Sequence, residues 1–365
     1  MKIGLVGLPN VGKSTLFNAL TGAGVAADNY MFCTIDPNVG VVALPDARLE
    51  RLSEMYDTFS KVAAPVEFVD IAGLVRNSGK GEGLGNQFLS HIRNVSAILE
   101  VVRCFDDSNI THADGGVDPV RDAETIKYEL VFSDLEIIEK RIKALSKNAQ
   151  HSSGLEPKVQ LSALEKARDR LYEGKLLNLS EFTANEQAAL SLHNLLTAKK
   201  ILYVANVGEG EISGGNAHSE KLFRYIAKTE PENECLLVSA KIESEIAEFS
   251  NEERSEYLSE LGIAESGLER VIRKSFELLG LITFFTAGKK ECRAWELRRG
   301  TKAPQAAGKI HTDFEKHFIR AEVTKYEKLI EAGGETRAKE LAYTKIEGKE
   351  YTVEDGDVIY FRVGV

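Results

Sequence analysis

Gly7, Gly12, Lys13 and Ser14 keep the spacing G-x-x-x-x-G-K-S within the run Gly7-Leu8-Pro9-Asn10-Val11-Gly12-Lys13-Ser14. Glycines let a backbone curl until successive N–H groups face phosphate oxygens at a helix N-terminus. A lysine at this place reaches the β- and γ-phosphates of a nucleoside triphosphate, and the serine hydroxyl ligates Mg2+. The contacts expected of the loop run from Asn10 through Val11, Gly12, Lys13 and Ser14 to Thr15. A chance glycine-rich turn would not follow a strand-like run and open a helical one, as this motif does.

Two more stretches complete a metal–phosphate site. Asp70-Ile71-Ala72-Gly73 closes an apolar run; Asp70 can hold Mg2+ through water, and Gly73 can offer its N–H to the γ-phosphate. Thr34, in Phe32-Cys33-Thr34-Ile35-Asp36-Pro37, can close on Mg2+ when a γ-phosphate is present; its plain alternative is a turn residue. The expected metal set is Ser14, Thr34 and Asp70, with Cys33 a bystander.

Asn206-Val207-Gly208-Glu209 and Ser239-Ala240-Lys241 each follow an apolar run, at strand ends where ligands bind in open α/β sheets. Guanine-specific proteins carry N-K-x-D at the first of these places, the aspartate accepting from guanine N1–H and the 2-amino group. Here Val207 replaces the lysine and the longer Glu209 replaces the aspartate. Adenine lacks both of those donors, whereas the Asn206 amide can pair with adenine N6 and N7. Asn206, Val207, Glu209, Ser239 and Ala240 form the expected base-binding set, which favours ATP over GTP and leaves GTP open.

The elements that must position these residues follow from periodicity. Ile3–Val6, Val39–Leu44, Val66–Ile71, Ala97–Cys104, Ile201–Asn206 and Cys235–Val238 read as strands, and Ser14–Leu20 as a helix. Alternation with helical stretches predicts a mainly parallel α/β sheet with flanking helices. Between about Asp122 and Lys200 the alternation stops. Leu135, Ile138, Ile142 and Leu145, then Leu164, Ala167 and Leu171, recur at helical spacing on either side of Gly154-Leu155-Glu156-Pro157, predicting an inserted helical hairpin with a third helix from Thr183. Beyond Leu278, strand-like runs at Leu281–Thr286, Tyr351–Val353 and Val358–Val363 alternate with helical Thr312–Ile319 and Val323–Ala332, a small α+β domain. The expected division is 1–124 with 200–277, 125–199, and 278–365.

A formal charge of −10 over 365 residues argues against indiscriminate binding to polyanions. The scattered Cys33, Cys104, Cys235 and Cys292 form no C-x-x-C pair, which suits free thiols in the cytoplasm and predicts no zinc site. No apolar run approaches the length that spans a bilayer, so no membrane partner is expected.

Together the loop at Gly7–Ser14, the N-x-x-E at Asn206–Glu209, the helical insertion, and the tail with His311-Thr312-Asp313-Phe314 and Phe318-Ile319-Arg320-Ala321 resemble the Obg-like ATPases, the YchF subfamily of translation-factor-class P-loop GTPases. The resemblance covers essentially the whole chain. It implies a P-loop NTPase domain, a C-terminal β-grasp (TGS) domain, ATP hydrolysis in preference to GTP, and a ribosome or ribosomal RNA as partner in translation or stress response. It also implies that His112 stands for the family's loop histidine in catalysis beside Lys13 and Gly73. By its residues alone, the setting Asp106–His112 favours an exposed loop histidine.

Leu74 stands where many regulatory GTPases place a water-orienting glutamine, which predicts slow intrinsic turnover. Asn10 either closes the loop or, as in related GTPases, helps hold K+ beside the phosphates. Lys289, Lys290, Arg293, Arg298, Arg299 and Lys302 surround Trp295, either as an RNA-facing patch through the TGS-like domain or as a solvated face over a core indole. His311 and Asp313 read as structural. Two function classes stay open: a regulatory ATPase acting as a monomer on the ribosome, and a phosphotransferase using the same loop on a small acceptor.

Overall fold

The computed structural model describes residues 1–22, 38–71, 84–111, 115–149 and 155–364. In order, β1 (Lys2–Val6) leads into α1 (Lys13–Gly22), β2 (Val39–Ala43), α2 (Ala47–Met55), β3 (Lys61–Val62), β4 (Pro65–Asp70), α3 (Leu84–Arg93) and β5 (Ala97–Arg103). Helices α4 (Pro119–Ala149), α5 (Leu155–Tyr172) and α6 (Ala184–Ser191) come next, then β6 (Ile201–Asn206), α7 (Ala217–Thr229), β7 (Glu234–Val238), α8 (Ala240–Ile246), α9 (Asn251–Glu260) and α10 (Gly267–Leu278). The tail contributes β8 (Leu281–Thr286), β9 (Cys292–Arg298), α11 (Ala303–Ile310), α12 (Thr312–Lys316), β10 (Phe318–Lys325), α13 (Tyr326–Ala332), α14 (Glu335–Glu340), β11 (Lys345–Glu347) and β12 (Asp357–Val363).

The first sheet has the order β2-β4-β1-β5-β6-β7. Its β1–β5, β5–β6 and β6–β7 pairings are parallel. Every residue of β5 and β6 is buried, as expected of strands covered on both faces. Parallel strands place all their C-terminal ends on one edge. That edge is where the loops after Val6, Arg103, Asn206 and Val238 emerge.

The described residues separate into two compact units, one drawn from 1–22, 38–40 and 68–270 and the other from 41–67 and 271–364. This division differs from the expected one in two ways. First, the helical insertion belongs with the first sheet. Its helices share a core of Val131, Ile138, Leu164, Leu171, Phe182 and Leu190, but they are also tied to α3 by Arg93, which donates through Nη1 to Asn194 O at 3.1 Å and through Nη2 to Ser133 Oγ at 2.8 Å. The expected third helix is α6, capped by Thr183 and Glu186 in a reciprocal capping box. Second, 41–67 belongs with the tail. Strand β3 pairs parallel with β9 through Lys61–Cys292 and Val62–Arg293, and Arg48 Nη1 meets Asp355 Oδ2 at 2.7 Å.

The second sheet runs β11-β10-β12-β8-β9-β3 over a core including Phe284, Ala307, Ala321 and Phe361. Here several expectations change. Val323–Lys325 is strand, not helix: Val323 pairs with Ile359 and with Lys345, and the helix begins only at Tyr326. The helix expected over Thr312–Ile319 ends at Lys316. Tyr351–Val353 is reduced to one bridge between Thr352 and Lys302. The turn at Glu354–Asp357 is present, with Gly356 at φ 83°, a value glycine adopts without penalty.

Candidate nucleotide-binding site

The loop after β1 lies between the sheet edge and α1. Asn10 and Gly12 both have positive φ, 64° and 91°, so the loop curls as the motif demands. Gly12 has a second constraint, since a Cβ there would sit 2.2 Å from Asn206 Nδ2. Ser14 and Thr15 are exposed in the first turn of α1, whereas Val11 is buried. Lys13 reaches across to Asp70 at the end of β4 and forms an ion pair with it. The fold thus brings together the Lys13, Ser14 and Asp70 expected from sequence.

Asn206 does something different from the direct bidentate base contact expected of it. It is 4% exposed, and both ends of its amide are engaged within the protein. Nδ2 donates to Val11 O at 2.8 Å, and Oδ1 accepts from Ala240 N at 2.9 Å. It therefore clamps the phosphate loop to the start of α8, leaving one N–H hydrogen for a ligand. Val207 is buried and donates its N–H to Val238 O at 2.9 Å. Glu209 and Lys241 form an exposed ion pair across the strand ends. Ser239 is fully buried, and its Oγ has no partner.

A pocket of about 660 Å3 opens here between Asn10, Gly12, Thr15, Asn206 and Ala240 on one side and the loop Phe105–Ile110 on the other. Sequence reasoning missed that second wall. Its one signal was Arg103, a second charge after Glu100 in a run otherwise apolar. Asn10 Nδ2 donates to Thr111 O at 3.1 Å, joining the wall to the phosphate loop.

A family model described as "50S ribosome-binding GTPase" matches residues 2–134, and one for the C-terminal region of YchF GTPases, described as "Protein of unknown function (DUF933)", matches residues 281–364. The "Ribosome-binding ATPase YchF" of Bacillus subtilis (strain 168) is 52% identical over 99% of both chains. The chain belongs to the YchF family. The protein of the same name from Escherichia coli O157:H7 is 48% identical over 100% of this chain and 99% of its own. The "Obg-like ATPase 1" of Oryza sativa subsp. japonica is 43% identical over 100% and 92%. The solved structure of the Schizosaccharomyces pombe YchF GTPase superposes with a TM-score of 0.90 at 39% identity, covering 99% of this chain and 97% of that one.

In this YchF-family chain Thr34, Cys33, Gly73, Leu74, His112 and Gly154 lie outside the described residues. The hard oxygen donors of Ser14 and Asp70 fit Mg2+ better than a softer ion, and among the described residues no cluster of three His, Cys, Asp or Glu side chains could hold a metal. Cys104, Cys235 and Cys292 are free thiols; burial pushes Cys235 up to about 12. No described helix is long and apolar enough to cross a membrane. Of the remaining candidates, His311 Nδ1 accepts from Asp313 N at 3.2 Å and so caps α12. Trp295 packs on Phe284, lies 4.1 Å under the Arg293 guanidinium, and donates to Thr286 Oγ1 at 3.0 Å. Its contacts are those of a core-edge residue.

Proposed function

We propose that this chain is a Mg2+-dependent ATPase, with GTP a weaker substrate, that works as a slow ribosome-associated switch in the cytoplasm. The observation that carries the base preference is the engagement of Glu209 by Lys241. A carboxylate held there is not offered to guanine N1–H and the 2-amino group, and Val207 supplies no lysine stem over the ring. The ribosomal part rests on the names of the relatives at 52% and 48% identity, with the TGS-like tail and the helical insertion as contact regions and a monomer as the working form.

In the hydrolytic cycle Lys13 exchanges Asp70 for the β- and γ-phosphates. Ser14 and Asp70, with Thr34, would hold Mg2+, which would supply charge neutralisation along the phosphate chain. Gly73 offers its N–H to the γ-phosphate. His112 follows Thr111, the residue tied to Asn10, and orients the attacking water in place of a glutamine. Asn10 would help hold K+, which would supply a further counter-charge.

The test is a paired titration of ATP and GTP with Mg2+ in K+ or in Na+, followed by turnover with and without ribosomes. Tighter ATP binding, faster hydrolysis in K+ and a rate that rises with ribosomes support the proposal. Equal or tighter GTP binding, or a phosphorylated small acceptor with ribosomes inert, overturns it. His112→Ala should remove most turnover while leaving ATP binding intact; an unchanged rate removes His112 from catalysis.

A further inference from the structure

Arg103 ends β5 at 2% exposure, among the largest fully enclosed side chains of the molecule. A guanidinium taken out of water must find acceptors for its donors. Here all three acceptors are backbone carbonyls of the eight residues that follow. Nε donates to Phe105 O at 3.1 Å, Nη1 to Ile110 O at 3.0 Å, and Nη2 to Asp107 O at 3.2 Å. The Phe105 ring lies 4.5 Å from the same guanidinium. The fork therefore gathers both limbs of the 104–111 loop around one rigid plane.

The loop is also held from outside. Asn216, the N-cap of α7, donates to Cys104 O at 2.6 Å, and His218 Nε2 lies 3.2 Å from Asp106 Oδ2. Yet among the described residues only Arg103 spans the loop from Phe105 to Ile110, and Phe105, Asp106, Asp107 and Ile110 form the pocket wall facing Asn206 and Ala240. On the strand, Arg103 is the register partner of Asn206, and Cys104 N donates to Asn206 O at 2.8 Å. The wall and the clamp are thus fixed to each other at one point of the sheet.

We infer that Arg103 is the positioning residue of the base pocket: it lines no part of the pocket, and acts by fixing the loop whose side chains face the base. The inference rests on the reading of this site as a nucleotide site. Lysine is a poor replacement, because one ammonium on a flexible stem cannot reach three carbonyls from three separate nitrogens. Among the described residues Gly12 and Lys13 make no hydrogen bond to the 104–111 loop, which is tied to the phosphate loop through Asn10 and Thr111 O, so the two halves of a nucleotide should respond differently.

The experiment compares ATP with inorganic tripolyphosphate on the full chain, for wild type, Arg103→Met and Arg103→Lys, alongside thermal unfolding. Both variants should bind ATP at least about tenfold more weakly, the scale of lost hydrogen bonds to a charged group. Tripolyphosphate affinity should stay within about twofold of wild type, and in turnover KM should rise. If the methionine variant does not fold, the lysine variant decides. Equal losses for both ligands, or wild-type ATP affinity in a folded variant, would overturn the inference. Wild-type protein that binds neither ligand would sink the nucleotide-site reading beneath it.

Discussion

The two ends of the site are built on opposite plans. At the base end the polar groups are bonded to the protein itself: the Asn206 amide to Val11 and Ala240, the Arg103 fork to three carbonyls. At the phosphate end Lys13 and Asp70 have each other, while Ser14 and Thr15 face solvent. A self-satisfied wall gives shape at no cost in reorganisation when ligand enters. A pair of opposite charges gives energy instead, because each partner can be exchanged for a phosphate or a metal. On the proposed reading, the site is rigid where it would discriminate and exchangeable where it would react.

The largest break in this contrast comes at the exchangeable end. Lys13→Ala should lower kcat/KM by a hundredfold or more, about the scale of removing a preorganised charge-stabilising group. The unfolding temperature should also fall, though this is the smaller effect, since the ion pair it removes is largely buried, with side-chain exposures of 10% and 20%. Steady-state kinetics and a melting curve on the same sample check both halves.

Asn206→Ala should show the reverse balance. It leaves the Val11 carbonyl and the Ala240 N–H buried without a partner, at about 1–3 kcal/mol each. The melting temperature should fall along with nucleotide affinity. Gly12→Ala is expected to mimic it, because its Cβ would displace the same amide. A normal melting temperature in both variants would mean that the clamp is dispensable.

A smaller effect separates burial from position. Glu100, three residues before Arg103 on β5, is equally enclosed, but its Oε1 has no partner. Burial, reinforced by Glu230, pushes its carboxyl well above the ordinary range, with Lys127 pulling it down. The fold keeps a proton there that the unfolded chain releases. Stability should therefore decline as pH climbs from the ordinary glutamate range, about 4.3, towards the folded value. Glu100→Gln should flatten that slope and raise stability near neutral pH. An unchanged slope in a chemical-denaturation series over pH would assign it elsewhere.

The first sheet was legible because its strands are short apolar runs bounded by turn residues, as at Ile201–Asn206. The phosphate loop was legible because its chemistry dictates residue types at fixed spacing. Strand β10 was not, since Val323 and Leu329 also fit a helical spacing and only pairing with Ile359 and Lys345 decides between the two. Strand β3 has two residues and a distant partner, so no local pattern marks it. Arg103 escaped for another reason. Its acceptors are main-chain carbonyls, which every sequence provides, so only the folded loop shows what the charge is for. Asn206 was recognised as a site residue, yet its bonding inward to Val11 required the loop's curvature to be known.

The stretch 41–67 finds its partners far along the chain: Thr58 donates to Gly288 O at 3.0 Å, 230 positions later, and Cys292 donates to Ser60 O. Translation adds about 5–20 residues per second, so α2 and β3 leave the ribosome some tens of seconds before β9 exists to receive them. Throughout that interval Arg48 lacks Asp355, Val62 lacks its ladder, and the second sheet cannot close from its first strand. The last unit to be finished is thus also among the first to be started, and a nascent chain halted anywhere between carries an unmatched edge that only completion of synthesis can cover.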